Sequence, residues 1–159
     1  NIVTREDIRR YGGRTLIDVL QRMPGMNIGG GAIYRDNVAV ARGQAFDVDT
    51  QTLILLNGRP FRDMVSSGVH APIYLNIPLT SVDHLEVIRG PGSVIYGSHA
   101  FTSVINIVTV KPEKTEGSIA TSFGTDKYRK QEVYGGVTFE GGHVVGSGKM
   151  MEHDGWDFT

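Results

Sequence analysis

The chain has 159 residues, a formal net charge of −1 and no cysteine. This length suits one ordinary domain with a modest core. The near-neutral charge, with no basic block interleaved with aromatic residues, argues against a nucleic-acid partner. The lack of cysteine excludes disulfide scaffolds, thiolate metal sites and cysteine nucleophiles.

Two short helices are predicted at the start of the chain. Thr4 and Asp7 have the spacing of a capping box, and the segment after them ends at a pair of glycines. Thr15 and Asp18 repeat this spacing, and an apolar stripe then continues until a Pro-Gly pair. We therefore expect two helices joined by a tight glycine turn.

Short apolar runs predict the strands of a small mixed sheet. They lie at residues 38–41, 53–56, 85–88 and 104–110. The last three runs are nearly continuous Val, Ile and Leu, so we expect both faces of those strands to be covered. Helical signals at 78–83 and 93–99 would supply the cover. The long loops between the strands, at 29–37, 44–51 and 57–76, are candidates to carry function.

The tail of the chain has a different texture. A charged, proline-containing segment at 111–116 is typical of a linker. After it the period becomes two, since Ile119, Thr121 and Phe123 alternate with small or polar residues. Residues 117–152 therefore predict antiparallel hairpin strands with the two-faced pattern of a membrane β-barrel wall. Because two or three strands cannot close a barrel, we expect the chain to be a piece of a larger protein.

The glycine-rich stretch EVIRGPGSVIYGSHA at 86–100 raises the question of a nucleotide or nucleophile loop. Ile95 stands where a dinucleotide loop needs its third glycine, and Ser98-His99 stands where a P-loop needs Lys and a hydroxyl. No serine of the chain lies in a G-x-S-x-G elbow. We therefore predict a structural strand-to-helix turn. Its residues are Gly90, Pro91, Gly92 and Gly97.

Two of these turn residues have specific expected roles. Pro91 presets a helical φ in the first helical turn, and Gly97 thins the helix where another backbone approaches. Elsewhere, none of the five histidines has a partner at the i, i+4 spacing of a helical metal site, and the paired acids lie in loops. We predict no metal site, no cofactor and no catalytic residue, and hence no enzyme.

Several segments, in order, resemble the plug domain of TonB-dependent outer-membrane receptors. They are VTREDIRRYGGRTLIDVLQRMPGM, VAVARG, TLILLNGRPF, IPLTSVDHLEVIRGPGSVIYGSHAFTSVINIVT and the strand-like tail. The resemblance implies an α+β fold with a small mixed β-sheet and short packed helices over residues 1–112. It also implies that residues 113–159 are a linker and the first antiparallel hairpin strands of a truncated transmembrane β-barrel.

The resemblance further implies a receptor of the bacterial outer membrane that binds a scarce nutrient, most often an iron-siderophore, for energy-dependent import. Cobalamin, haem or a glycan are the alternative ligands. Expected partners are its own barrel, the outer membrane through that barrel, and TonB through a segment not recognisable in this chain. The isolated piece is expected to self-associate through unpaired strands. A stand-alone soluble plug-like binding or adaptor module of the periplasm is the competing hypothesis.

Site residues follow from the same resemblance. Arg42 and Arg89 end two strands and are expected to face glutamates of the barrel wall, where a guanidinium can bind a carboxylate through two hydrogen bonds. The loops expected to face the ligand, a small-molecule nutrient or metal chelate, contribute Tyr34, Arg35, Phe46, Asp47, Phe61, Arg62, His70 and Tyr74.

Overall fold

The computed structural model describes residues 1–29, 38–41, 51–61 and 71–154. The chain divides into two compact units, the first comprising Asn1–Ile77 and Val82–Thr109, the second Pro78–Ser81 and Val110–Thr159. Within the described ranges, no helix combines the length and the hydropathy needed to cross a membrane. The α+β class is confirmed by a mixed sheet with short helices and a separate antiparallel sheet.

Both N-terminal helices form where the capping signals predict them. Helix α1 spans Arg5–Tyr11 and helix α2 spans Leu16–Gln21. At α1 the Thr4 hydroxyl oxygen accepts a hydrogen bond from the Asp7 amide at 3.2 Å, and the Asp7 carboxylate accepts one from the Thr4 amide at 3.0 Å. These reciprocal bonds satisfy amides that would otherwise be left unpaired at the helix start.

The first unit is built on a five-stranded mixed sheet. Its strands are β1 Ile2–Thr4, β4 Thr52–Leu56, β5 Arg59–Pro60, β6 Val82–Arg89 and β7 Ser103–Thr109, in the spatial order β1-β6-β7-β4-β5. Only β4 and β7 run parallel, with Ile54 opposite Ile105. Both side chains are fully buried, which confirms the expectation of covered strands for β4 and β7. For β6 that expectation is wrong, because Glu86 and Ile88 are exposed on one face. A separate two-stranded sheet pairs β2 Met26–Gly29 with β3 Val38–Ala41.

Three sequence-based assignments need correction. The predicted loop at 57–76 contains strand β5 and helix α3, Ala71–Asn76. Asn57 and Gly58 form the two-residue turn from β4 to β5, with φ of 51° and 78°, the conformation that hairpin turns favour. The helical signal at 78–83 gives only a 3-10 turn, Leu79–Ser81, before β6 begins, and the signal at 93–99 gives helix α4 only at Ser93–Tyr96.

The second unit contains an antiparallel three-stranded sheet, as the tail predicted. Its strands are β8 Glu116–Phe123, β9 Arg129–Phe139 and β10 Gly142–Glu152, with β9 in the centre. The 3-10 turn Leu79–Ser81 belongs to this unit although it lies well before these strands in the chain. The second unit resumes at Val110, and the domain boundary after residue 112 stays a prediction.

Candidate functional site

The segment from Gly90 to Thr102 connects β6 to β7, and its two ends are hydrogen-bonded to each other. The Gly90 amide donates to the Thr102 carbonyl and the Gly92 amide donates to the Ala100 carbonyl, each at 2.8 Å. Between these bonds lies the single-turn helix α4, which exposes Val94 and Ile95. The two hydrogen bonds close a strand-to-helix turn between β6 and β7.

The glycines of this turn have roles that differ from the predicted ones. Gly97 adopts a φ of 78° and a Cβ there would meet no atom within 4 Å, so the predicted close approach at Gly97 is wrong. The close approach is at Gly92, where a Cβ would lie 2.9 Å from Cγ2 of Val104. Pro91 precedes Gly92, the N-cap of α4, and therefore lies before the first helical turn and not within it.

Arg89 lies at the end of β6, immediately before this turn. Its Nη1 donates a hydrogen bond to the Pro24 carbonyl, and a Cβ on Gly25 would lie 3.1 Å from the same nitrogen. Arg89 therefore joins the end of β6 to the turn after α2 within the first unit. Because a guanidinium has five N–H donors, this bond leaves donors for a further partner, and the barrel contact stays a prediction.

Polar side chains of β6 and β7 are linked to one another and to the turn between β4 and β5. Asn106 Nδ2 donates to the Glu86 carboxylate at 2.7 Å, and the Gly58 backbone amide donates to Asn106 Oδ1 at 2.9 Å. His84 lies beside them, with Nε2 3.6 Å from Glu86 Oε1. The hydrogen bond from Asn106 lowers the pKa of Glu86, against the opposing effect of burial, with smaller contributions from His84.

This network holds the β4–β5 turn against β7. Asn57 Nδ2 donates to the Thr109 hydroxyl and the Thr109 amide donates to Asn57 Oδ1, both at 2.9 Å. Across the parts of the chain that the structure describes, no three His, Cys, Asp or Glu side chains are grouped so that they could hold a metal ion.

Two of the predicted ligand-facing residues lie in described parts of the chain. Phe61 directly follows β5 and is partly exposed, and its amide donates to the Ile54 carbonyl at 2.9 Å. Tyr74 was expected in a loop that faces the ligand. It lies instead in α3 with no exposed surface, so it is a core residue and this prediction is wrong. The others lie outside the described residues: Tyr34, Arg35, Phe46, Asp47, Arg62 and His70, as does Arg42.

The three-stranded sheet has two chemically different faces. The register places Gly117, Gly135 and Gly146 side by side on the first face, and Ser118, Tyr134 and Ser147 side by side on the second. The first face carries exposed apolar side chains on all three strands: Ile119, Phe123, Val133, Val137, Phe139, Val144 and Met150. The second is mostly small or polar and includes Lys130, Glu132 and Thr138, although Val145 and Met151 also lie on it and are partly exposed. This is the alternation of a sheet with lipid on one side and polar surroundings on the other.

A buried ion pair lies on the polar face of β9. Lys130 Nζ is 3.3 Å from Glu132 Oε1, and the two side chains are 6% and 2% exposed. The same Glu132 oxygen accepts a hydrogen bond from the Leu79 amide at 3.3 Å. The contact between Leu79 and Glu132 joins residues 53 positions apart, so no local pattern in the sequence indicates it.

Known proteins match this chain over most of its length. The family model of the TonB-dependent receptor plug domain matches residues 1–104. The vitamin B12 transporter BtuB of Vibrio vulnificus is 29% identical over 160 residues, covering 98% of this chain. BtuB of Vibrio cholerae is 33% identical over 139 residues, covering 86% of this chain. The chain spans only 25% and 22% of the lengths of these curated relatives.

Solved receptor structures share the fold over nearly the whole chain. A mutant of the ferric enterobactin receptor PfeA of Pseudomonas aeruginosa matches with a TM-score of 0.75 and 26% identity, over 99% of this chain and 25% of that chain. The receptor FpvA of P. aeruginosa, bound to a pyoverdine, matches with a TM-score of 0.73 over 96% of this chain and 20% of that one. At 19% identity FpvA supports the fold alone. The chain belongs to the TonB-dependent receptor plug domain family.

Proposed function

We propose that this chain is the plug and the first wall strands of an outer-membrane receptor that imports a bulky metal chelate in a TonB-dependent step. The observation that carries the proposal is a plug-family fold that continues directly into a two-faced antiparallel sheet. In this reading the first unit gates the lumen and contributes to binding of the nutrient. The three strands β8, β9 and β10 begin the wall.

The chemistry of the sheet supports the assignment to a barrel wall. Lipid requires every backbone group to be paired, which antiparallel strands achieve only when neighbours continue around a closed barrel. The apolar face of β8, β9 and β10, from Ile119 to Met150, is suited to lipid, while the polar face is suited to the lumen. In water such an exposed apolar face promotes association, so it disfavours the competing hypothesis of a free periplasmic module.

The ligand class rests on what the relatives are named for. The curated relatives are vitamin B12 transporters, which supports cobalamin, and the solved structures include ferric enterobactin and pyoverdine receptors, which supports an iron-siderophore. Both ligands are large chelates of a transition metal. We therefore keep the iron-siderophore and cobalamin as the two candidates, and we place Phe61 among the residues that contact the ligand.

Uptake by the full-length receptor that contains this chain tests the proposal. The receptor is expressed in a Gram-negative host lacking its own cobalamin and siderophore receptors, with and without functional TonB. Labelled cyanocobalamin and ferric enterobactin are supplied separately. We expect one of the two to accumulate only when TonB is functional. Uptake of neither compound, or uptake that is indifferent to TonB, would contradict the proposal.

A matched pair of variants tests the contribution of Phe61. Phe61→Ala removes an aromatic ring from the predicted ligand side, and Phe101→Ala removes the same ring from the turn after α4, where Phe101 is also exposed. We expect Phe61→Ala to raise the concentration for half-maximal uptake several-fold, since aromatic contacts contribute about 1 kcal/mol. Phe101→Ala should leave that concentration unchanged. Equal behaviour of the two variants would remove Phe61 from the binding site.

A further inference from the structure

The 3-10 turn Leu79–Ser81 lies within the residues matched by the plug family, yet it packs with the strands of the second unit. Two hydrogen bonds, one to a side chain and one between backbone groups, hold it there. The Leu79 amide donates to Glu132 Oε1 at 3.3 Å, and the Val110 amide donates to the Ser81 carbonyl at 2.9 Å. The turn is also closed internally, because the Ser81 amide and hydroxyl both donate to the Pro78 carbonyl, at 3.0 Å and 2.7 Å.

The Lys130–Glu132 ion pair, which supplies the acceptor for the Leu79 amide, is buried. Burying a charged side chain costs several kcal/mol, which its partner offsets only if the geometry also satisfies further hydrogen bonds. Glu132 meets that condition, since its carboxylate is paired with Lys130 Nζ at 3.3 Å and also accepts the Leu79 amide. The pair thus gives the turn a charged acceptor at a fixed position on β9.

The same face of β9 holds the chain at a second point. The Thr138 hydroxyl donates to the Pro112 carbonyl at 2.7 Å. Pro112 also packs so closely over Gly136 that a Cβ on this glycine would lie 2.8 Å from the Pro112 Cγ. Glu132, Gly136 and Thr138 are separated by even numbers of positions, so they lie on the same face of β9. This polar face therefore contacts both the turn Leu79–Ser81 and Pro112.

We propose that Lys130 and Glu132 are positioning residues of a permanent anchor, by which the turn Leu79–Ser81 stays fixed to β9 throughout a transport cycle. Ser81 immediately precedes β6 and Val110 immediately follows β7, so the anchor holds the chain positions from which both strands continue. The proposal rests on the proposed function in treating β9 as a wall strand. Whatever part of the plug rearranges to open a path, this turn is expected not to leave the wall.

Amide hydrogen exchange in the purified full-length receptor, resolved at Leu79, tests the contact itself. Glu132→Leu removes the acceptor, and we expect the Leu79 amide to exchange at least about tenfold faster, since a hydrogen bond to a charged group is lost. The double variant Lys130→Met/Glu132→Leu replaces both members of the pair with apolar side chains. The Leu79 amide should exchange faster by the same factor in this variant. Glu140→Leu, at the exposed β9–β10 turn, is the matched control and should leave Leu79 unchanged.

Permanence is tested by exchange in membranes during TonB-dependent uptake. We expect the Leu79 and Val110 amides of the unmodified receptor to stay as protected during uptake as at rest. Unchanged Leu79 exchange in both Glu132 variants would overturn the contact, and loss of Leu79 protection during uptake would overturn its permanence. Leu79 exchange in the purified variants is measured without transport, so it tests the contact independently of function. A receptor that imports neither compound would contradict the proposed function and not the contact.

Discussion

Gly92 is the position where the turn after β6 has least room for a side chain. The Gly92→Ala substitution would place a methyl group 2.9 Å from Cγ2 of Val104, 3.4 Å from Cδ2 of Tyr96 and 3.6 Å from Cβ of Ala100. Only the first distance is shorter than atoms tolerate. Val104 cannot easily yield, because it is 1% exposed and its branched side chain has few alternative rotamers in the sheet.

The expected cost is that of overpacking a tight core, about 1 to 3 kcal/mol of the free energy of unfolding of the first unit. Val104→Ala alone should cost about 2 kcal/mol through lost apolar contact and a small cavity. In the double variant the new methyl enters the space that Val104 leaves. The two costs should therefore not add, and we expect a favourable coupling of about 1 kcal/mol or more.

Unfolding by urea, followed by amide exchange at Ile54 and Ile105 in the sheet centre, gives these free energies. Gly97→Ala is the matched control, because its cost of about 1 to 3 kcal/mol would arise from a φ of 78° and not from crowding. Val104→Ala should therefore reduce the unfolding free-energy cost of Gly92→Ala but not that of Gly97→Ala. Additive costs for Gly92→Ala and Val104→Ala would refute the account of the turn.

Three further predictions concern the first unit. Asp18→Ala removes the carboxylate that accepts from the Arg14 and Thr15 amides at 2.8 and 2.9 Å, and should lower the free energy of unfolding by about 1 to 2 kcal/mol in urea titrations. The pKa of Glu86 is lowered in the folded state, so its stabilising contribution is complete above the ordinary value of 4.5 and is lost as the pH falls through the folded value. The stability difference between the wild type and Glu86→Gln should therefore shrink on acidification, and a difference constant between about pH 7 and pH 3 would exclude this linkage. Replacing Arg42 and Arg89 with alanine in the full-length receptor should loosen the plug and raise the leak of small solutes, and unchanged permeability with unchanged thermal stability would exclude this role.

The sequence predicted those elements whose signals are local. The hydroxyl and acid at Thr4 and Asp7 set the start of α1, and the continuous apolar runs located β4, β6 and β7. The β8–β10 sheet followed from its period of two. Each of these signals depends on neighbours within a few positions, which is why reading the chain alone recovers them.

The failures arose where distant parts of the chain decide the outcome. Strand β5 has two residues, too few for a pattern, and it exists because Asn57 and Gly58 turn the chain back onto β4. Tyr74 was expected to face a ligand because aromatic loop residues often do, but α3 buries it completely. The contact of Glu132 with the Leu79 amide depends on how the strands pack, and no spacing in the sequence encodes it.

The central claim is that the strands following the plug domain in the chain are the first strands of a membrane barrel. It is tested most directly along β10. Nitroxide labels placed in turn at residues 142–152 of the full-length receptor in lipid bilayers would report accessibility to oxygen, which partitions into lipid, and to a water-soluble nickel complex. We predict alternation with a period of two, Val144 and Met150 facing lipid while Ser147 and Lys149 face the polar lumen. Uniform accessibility to the nickel complex along the strand would contradict the claim.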